Sequence, residues 1–282
     1  MKHEGSYAGT ARAFDVIAGD YDGAYGAEGN SVMTWMRHES LALLQSTFPP
    51  KSRLLELGCG TGEEAVALAL AGHHVLATDI SPRMAALTHR KAMEQGVGER
   101  VQAVALPAGL VGALHPARPF DGAYASFGGL NCEHNLAAVG DALARLVRPD
   151  GLFVTSVMGR ACLFEMAWYL SHLQPRRAFR RLRGEWRFAP VAGQEGREVA
   201  VPTRYLTIRQ VTAAFPDFEL DRALALPLLL PPPYADTLYR RHPAFFAGLM
   251  RYDRRMRDKR PWLHLGDHLV LVLRRSTGNG PS

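Results

Sequence analysis

A glycine-rich stretch between residues 54 and 79 constrains the fold more than any other part of this 282-residue chain. Leu54-Leu-Glu-Leu57 predicts a buried strand, Gly58-Cys-Gly-Thr-Gly62 a loop with few side chains, and Glu63–Ala71 a helix. Glycines let the backbone lie against a ligand, and the helix start offers unpaired N–H groups. The next apolar run ends at Asp79, where a carboxylate can accept ribose hydroxyls. The stretch therefore predicts a nucleoside-cofactor pocket.

The spacing of the glycines indicates which nucleoside. In the dinucleotide fingerprint G-x-G-x-x-G the third glycine would fall at position 63, which is Glu here. Instead, Glu56-Leu-Gly-Cys-Gly-Thr-Gly62 resembles the E/D-x-G-x-G-x-G motif of class I S-adenosylmethionine-dependent methyltransferases. Asp79-Ile-Ser-Pro82, Phe120–Ser126 and Arg145–Gly151 follow in the family's order and spacing. The resemblance covers residues 10–158 and is closest to small-molecule and quinone methyltransferases.

Strands that alternate with helices predict a parallel sheet covered on both faces. We expect strands at 53–58, 74–79, 101–106, 121–126 and 151–157, and helices at 31–47, 62–71, 83–95 and 135–147. The resemblance implies an α/β, Rossmann-like, seven-stranded, mostly parallel sheet with an antiparallel last strand and helical cap insertions. Phe218–Leu230 and Gly266–Arg275 are the expected sixth and seventh strands. Ligands of such sheets lie outside the carboxyl ends of the strands.

The chain divides into five expected segments. These are an N-terminal helical lid (1–50), the cofactor-binding core (51–157), an arginine-rich cap insertion (158–206), the end of the core sheet with a second helical insertion at 231–262 (207–275), and a disordered tail (276–282).

The resemblance also implies a set of cofactor contacts. They are Tyr21, Glu56, Gly58, Cys59, Gly60, Gly62, Asp79, Ile80, Met84, Leu106 and Ser126. One departure from the family concerns the acid that often follows strand three, because the sequence there is Val104-Ala-Leu-Pro-Ala-Gly109. We therefore expect the adenine to be recognised by backbone or by packing against Leu106.

The acceptor is expected near the loop after strand four, Ser126–Asn135. The candidate contacts are Phe127, Asn131, Trp168 and Tyr234. His134 is the candidate general base, because an imidazole titrates near neutral pH. The alternative is that Asn131, Glu133 and His134 only cap the helix that starts near Asn135.

The sequence gives little indication of a metal site or of a nucleic-acid partner. The eleven histidines and three cysteines show no metal-ligand spacing, so we expect no metal. Pro231-Pro-Pro-Tyr234 follows strand six, whereas the similar signature of nucleic-acid amino-methyltransferases follows strand four. No RNA-binding module is recognisable, so we expect no nucleic-acid partner.

Charge is divided unevenly along the chain. Residues 1–150 hold 12 Lys and Arg against 16 Asp and Glu, and residues 151–282 hold 21 against 11. The arginine-rich runs at 176–187 and 240–260 form either a solvated face or a surface for anionic groups, including an anionic membrane. We expect a cytoplasmic protein, because the first residues carry no apolar signal region, and a monomer or homodimer.

Three functions remain open. The first is methyl transfer from S-adenosylmethionine to a small or lipid-like organic acceptor, with oxygen slightly favoured. The second is carbon methylation of a quinone or prenyl-type lipid at the membrane surface. The third is cofactor binding without catalysis.

Overall fold

A computed structural model describes residues 7–25, 29–192 and 198–277. The strands of these ranges are β1 (Arg53–Leu57), β2 (His74–Asp79), β3 (Val101–Ala105), β4 (Phe120–Ala125), β5 (Val147–Met158), β6 (Arg187–Ala192), β7 (Glu198–Thr203), β8 (Phe218–Leu226) and β9 (His268–Arg275). The helices are α1 (Tyr7–Ile17), α2 (Tyr21–Tyr25), α3 (Ser31–Thr47), α4 (Glu63–Leu70), α5 (Pro82–Glu94), α6 (Leu136–Leu146), α7 (Leu163–Ser171), α8 (Pro175–Ala178), α9 (Ile208–Ala214), α10 (Asp236–Arg241) and α11 (Pro243–Met256).

Seven of these strands form one sheet in the order β3-β2-β1-β4-β5-β9-β8. β9 runs antiparallel to both of its neighbours, β5 and β8, and the other pairs are parallel. The predicted fold class and its antiparallel last strand are thus confirmed. Because the chain leaves β1 first toward β2 and later returns to β4, the strand order reverses beside β1. The carboxyl ends at this reversal are where such sheets bind ligands.

Apolar side chains of the sheet point to both faces, since helices cover both. Leu54 packs with α3 and α4 on one side, and its neighbour Leu55 packs with α6 on the other. This is why β1 is a continuous apolar run interrupted only by Glu56.

Local sequence signals place several helix starts. Asn30 caps α3 by accepting from Met33 N, Ser81 caps α5 by accepting from Met84 N, and Asn135 caps α6 by accepting from Ala138 N. The predicted core helices and strands one to four begin and end within one residue of the observed bounds. The fifth strand instead begins at Val147, four residues before the predicted start.

Two predictions for the second half of the chain are wrong. β8 ends at Leu226 rather than Leu230, because Pro227 follows and has no N–H to continue the ladder. The first cap insertion is also not purely helical. It contains the antiparallel pair β6–β7, whose Val191 and Val199 pack against a small cluster around Ile17 and Met84. Pro190 within β6 weakened the strand pattern in the sequence.

The second insertion contains α10 and α11 between short 3₁₀ turns at Pro233–Ala235 and Trp262–His264. Residues 1–6 of the expected lid and 278–282 of the expected disordered tail lie outside the described residues. Within the described ranges, no helix has both the length and the apolar character needed to cross a bilayer.

Candidate functional site

A chamber of about 630 Å³ lies at the carboxyl edge of the parallel strands. One end, here called the loop end, is formed by the loops after β1, β2 and β3, with Gly58, Gly60 and Asp79 in its wall. The other, here called the cap end, is formed by the cap insertion and the start of β9, with Arg181 and His268 in its wall. The volume is in the range of small-molecule sites.

The backbone of the glycine loop shapes the loop end. Gly58, Gly60 and Gly62 have φ values of +74°, +55° and +85°, which side chains rarely adopt. A Cβ added at Gly60 would meet no atom within 4 Å, so its Cα borders open space. A Cβ at Gly62 would lie 2.7 Å from Cγ2 of Thr88, so this glycine is needed for the packing of α4 on α5. The loop therefore offers bare backbone to a ligand at Gly60.

Asp79, the last residue of β2, holds the loop in place. Its Oδ2 accepts from Gly60 N at 2.9 Å, and its Oδ1 accepts from Ser81 N at 2.8 Å. Burial raises the pKa of Asp79 to about 6, although the two backbone N–H groups oppose that rise. Each oxygen keeps a further acceptor position, so the carboxylate can take hydroxyl donors from the chamber.

An ion pair that sequence reasoning missed stands beside the glycine loop. Arg37 Nε of α3 lies 2.8 Å from Glu64 Oε1 of α4, and both side chains are nearly buried and line the chamber. Tyr21 and Tyr25, whose ring centroids are 4.9 Å apart, line the same region. A cation and a carboxylate at one place suit the two charges of an amino-acid group.

Glu56 lies behind the loop and outside the chamber wall. It is 1% exposed in β1 opposite Tyr124, and its Oε2 has no hydrogen-bond partner among the described residues. Burial, reinforced by the Glu64 carboxylate, raises its pKa well above the usual range. The structure therefore places no Glu56 oxygen in the chamber.

The loop after β3 is held by a residue that is distant in sequence. Pro107 and Ala108 line the chamber, whereas Leu106 packs into the core beneath them. Glu133 Oε2 accepts from Gly109 N at 2.9 Å, and Oε1 accepts from Tyr7 Oη at 2.8 Å. A carboxylate from beyond β4, that of Glu133, thus holds the loop after β3 against α1.

Hydrogen bonds hold the N-terminal helices α1 and α2 over the loop end. Thr61 Oγ1 donates to Asp22 and Ser81 Oγ donates to Asp15, each at 2.5 Å. Together with the Tyr7–Glu133 bond, these contacts cover the loop end with α1 and α2.

At the cap end, a buried arginine joins two carboxylates. Arg181 Nη2 lies 2.5 Å from Glu165 Oε2 and 2.8 Å from Asp267 Oδ1, and all three side chains are at most 5% exposed. Arg180 Nε lies 2.7 Å from Glu165 Oε1. Asp267 Oδ2 is also 3.0 Å from His268 Nδ1. The two arginines and two carboxylates balance in charge, which makes their burial tolerable.

The predicted site residues separate into two groups. Those in the chamber wall are Tyr21, Gly58, Cys59, Gly60, Asp79, Ile80, Met84, Ser126, Phe127 and Tyr234. Those outside it are Glu56, Gly62, Leu106, Asn131, His134 and Trp168.

The structure gives the outlying acceptor candidates other contacts. Asn131 is buried and bonds the backbone of Met158 and Arg204, so it neither faces the chamber nor caps α6. His134 is exposed and stacks on Trp186 with ring centroids 4.3 Å apart. Trp168 is 42% exposed and packs against His172. The geometry therefore gives no support to His134 as a base.

Asp267 and His268 were missed although the chain carried a signal for them. Because β9 is antiparallel, its first residue lies at the edge where the parallel strands end. A polar pair directly before a predicted antiparallel last strand therefore belongs at the ligand edge. No comparable sequence pattern indicated that Arg37 lies in the site, because its position depends on how α3 packs on α4.

Comparisons with known proteins agree with this geometry. Residues 54–151 match the family model described as a methyltransferase domain. A ubiquinone biosynthesis O-methyltransferase from Xylella fastidiosa (strain 9a5c) is 37% identical over 119 residues, which are 41% of this chain and 46% of that protein. The chain thus matches less than half the length of this relative.

Solved structures share the fold over most of the chain. The N-methyltransferase NodS from Bradyrhizobium japonicum WM9, solved with S-adenosylhomocysteine, has a TM-score of 0.56 at 13% identity, covering 95% of this chain and 99% of its own. The CcbJ methyltransferase from Streptomyces caelestis has a TM-score of 0.55 at 16% identity, covering 84% and 94%. The [4+2]-cyclase SpnF has a TM-score of 0.55 at 17% identity, covering 85% and 81%.

The loop end fits S-adenosylmethionine on its own geometry. The open Cα of Gly60 lets a ligand approach the backbone, Asp79 can accept two hydroxyls, and Arg37 with Glu64 can bind an amino-acid group. This geometry, the matching family model and the shared fold agree: residues 54–151 belong to a methyltransferase domain, and the chain has the fold of S-adenosylmethionine-dependent methyltransferases.

Proposed function

We propose that the protein transfers a methyl group from S-adenosylmethionine to a small organic acceptor bound at the cap end of the chamber. The observation that carries this proposal is that one chamber joins the glycine loop and Asp79 to an aromatic and charged cap end. A cofactor at the loop end would therefore face an acceptor at the cap end.

The chain's part in such a reaction is to position the acceptor and exclude water. The bound cofactor supplies an activated methyl group, so holding the acceptor in line is the main requirement and can account for roughly 7–11 kcal/mol of barrier. The tied helices α1 and α2 cover the loop end, and Phe127 and Gly128 follow β4 in the chamber wall. These residues can align an acceptor with the methyl group.

Oxygen is the favoured acceptor atom. The Xylella relative is named as an O-methyltransferase, and it is 37% identical to this chain over 119 residues. His134 is exposed and gives no argument for an oxygen acceptor. The preference for oxygen therefore depends on this relative and on the polar groups at the cap end.

A second candidate function is carbon methylation of a quinone or prenyl-type lipid at an anionic membrane surface. It is favoured by Leu173, which is 89% exposed and lies three residues before the exposed Arg176 and Arg177, and by the 42% exposed Trp168. Apolar and cationic side chains at one surface suit anionic headgroups. Cosedimentation with anionic and neutral liposomes tests this candidate, and a lack of salt-sensitive binding to the anionic liposomes would remove it.

A third candidate is cofactor binding without methyl transfer. It is favoured by SpnF, a solved protein of the same fold that is named as a [4+2]-cyclase. Fold alone does not fix the chemistry.

Transfer of isotope from methyl-labelled S-adenosylmethionine into small molecules of a cell extract separates these candidates. We expect labelled product with the wild type and none with Asp79→Ala, while Asp141→Ala, on an exposed position of α6, keeps the wild-type yield. Cofactor binding without label transfer would favour the third candidate. The position of the label in the product distinguishes oxygen from carbon methylation.

A further inference from the structure

Asp267 and His268 form a hydrogen-bonded dyad at the cap end of the chamber. The Nδ1 atom of His268 lies 3.0 Å from Asp267 Oδ2, and both residues line the chamber although they are only 6% and 3% exposed. The His268 ring stands edge-on to Phe127, with centroids 6.1 Å apart. Phe127 follows β4, so the imidazole is beside the loop where the acceptor must meet the cofactor.

The contacts of Asp267 fix the proton on His268. Burial would raise the pKa of Asp267, but Arg181 and His268 outweigh it and hold that pKa below its usual range. An ionised Asp267 accepts a hydrogen bond from Nδ1–H of His268. Neutral histidine carries one ring proton, so Nε2 then holds a free lone pair.

The charged side chains around the dyad are already engaged. Arg181 binds both Glu165 and Asp267, and Arg180 pairs with Glu165. Tyr205 lies under Arg181, with the guanidinium 4.8 Å from the ring centroid, and Arg37 lies 5.9 Å from the Phe127 centroid. Tyr234 completes this set of titratable neighbours. Among these side chains, His268 is the one with an uncommitted basic nitrogen.

We propose that His268 is the general base that takes the proton from a hydroxyl of the acceptor, and that Asp267 is its positioning residue. This assignment rests on the proposed methyl transfer and names its acceptor atom as oxygen. The acceptor hydroxyl transfers its proton to His268 Nε2, and the imidazolium is stabilised by Asp267. The oxygen forms a bond to the methyl carbon as the carbon–sulfur bond breaks, and the bond's electron pair stays on the sulfur. The imidazolium then returns its proton to water.

The side chains that line the cap end indicate that the acceptor is a phenol. Phe127, Tyr205 and Tyr169 border the dyad or its arginines, and Arg180 lies 5.6 Å from the Tyr169 centroid. Flat apolar walls suit a planar ring, and a ring hydroxyl is acidic enough to share its proton with an imidazole. The acceptor class is therefore a hydroxyaromatic or enol.

The probe for this proposal is 4-nitrocatechol, whose colour changes when its phenol ionises. It is titrated with pH in the protein saturated with S-adenosylhomocysteine, so that no turnover occurs. We expect the bound ligand to ionise at least about one pH unit lower than the free ligand, because proton transfer to His268 forms an ion pair. In His268→Gln this shift should be lost, while His74→Gln, at the exposed amino end of β2, should keep it.

His268→Asn serves as a second variant, and the unfolding midpoint of each variant shows that it is folded. Asp267→Asn should lose part of the shift. The proposal is overturned if the His268 variants retain the full shift, or if the wild type with S-adenosylhomocysteine does not bind 4-nitrocatechol. A wild type that fails to bind S-adenosylhomocysteine in a prior calorimetric titration overturns the proposed function and this assignment together.

Discussion

The loop end and the cap end of the chamber are built in opposite ways. At the loop end, the glycine loop and the carboxylate that holds it come from one short stretch, in which Gly60 and Asp79 are 19 positions apart and joined by a direct hydrogen bond. The cap end brings together Phe127, Glu165, Arg181 and Asp267 from four separate segments. The loop end presents backbone, the carboxylate of Asp79 and one ion pair, Arg37–Glu64, whereas the cap end depends on a network of charged side chains that share partners.

The two ends should therefore tolerate different changes. Most side chains of the glycine loop can vary, provided that the backbone keeps its φ values. At the cap end, removing Arg181 takes away the cation that Glu165 and Asp267 share while both carboxylates stay buried, which is costly. The loop end should therefore fail by loss of binding, and the cap end by loss of stability.

Arg181→Met should have the largest effect on stability. It leaves Glu165 and Asp267 buried without their shared cation, so the free energy of unfolding should fall by about 3–5 kcal/mol. Urea denaturation measures this. Arg176→Met removes an exposed arginine and should stay within about 0.5 kcal/mol of the wild type. Equal stability of the two variants would show that the cap end does not depend on its charges.

Gly62→Ala and Gly72→Ala test the backbone character of the loop end. Both glycines have positive φ, so each alanine should cost about 1–2 kcal/mol from strain. Only at Gly62 would the added Cβ also meet Thr88, at 2.7 Å, whereas at Gly72 it meets nothing within 4 Å. We expect Gly62→Ala to cost about 1–3 kcal/mol more in urea denaturation and to weaken S-adenosylhomocysteine binding. If the two alanines behave alike, the contact with Thr88 is unimportant.

The pH dependence of cofactor binding should follow Asp79. Its folded pKa of about 6 exceeds the ordinary 3.8, so the protonated carboxyl stabilises the free protein below pH 3.8 and that contribution is lost as the pH rises through 6. Cofactor hydroxyls need the ionised form. Affinity for S-adenosylhomocysteine should therefore fall below pH 6, by up to about tenfold per pH unit. Asp79→Asn should bind weakly with a flat profile, and a wild-type profile in that variant would assign the titration to another group.

His134→Gln should have the smallest effect. The exposed imidazole stacks on Trp186 outside the chamber, so binding of S-adenosylhomocysteine and the ionisation of bound 4-nitrocatechol should both stay at wild-type values. Stability should change by no more than about 0.5 kcal/mol. A loss of the ionisation shift here, with His268→Gln unchanged, would restore the interpretation based on the sequence alone.

The same contrast explains how far the sequence could predict this molecule. The sheet, the glycine loop and Asp79 follow from local patterns, because strand period, glycine spacing and chain order determine them. Arg37 and Glu64 meet only when α3 packs on α4, and Arg181 meets Asp267 across 86 positions. The hairpin β6–β7 was not predicted, because Pro190 interrupts the strand pattern of its first strand. The position of Asp267 and His268 could have been predicted, because an antiparallel β9 places its first residue at the ligand edge of the sheet.

We propose that the loop end binds S-adenosylmethionine through the glycine loop and Asp79. Calorimetric titration with S-adenosylhomocysteine tests it most directly, on the wild type, Asp79→Ala and the surface control Asp141→Ala. We predict binding by the wild type and the control, and affinity lower by about 100-fold or more in Asp79→Ala, because hydrogen bonds to a charged acceptor are worth about 1.5–3 kcal/mol each. No binding by the wild type, or equal affinity in Asp79→Ala, would contradict the claim.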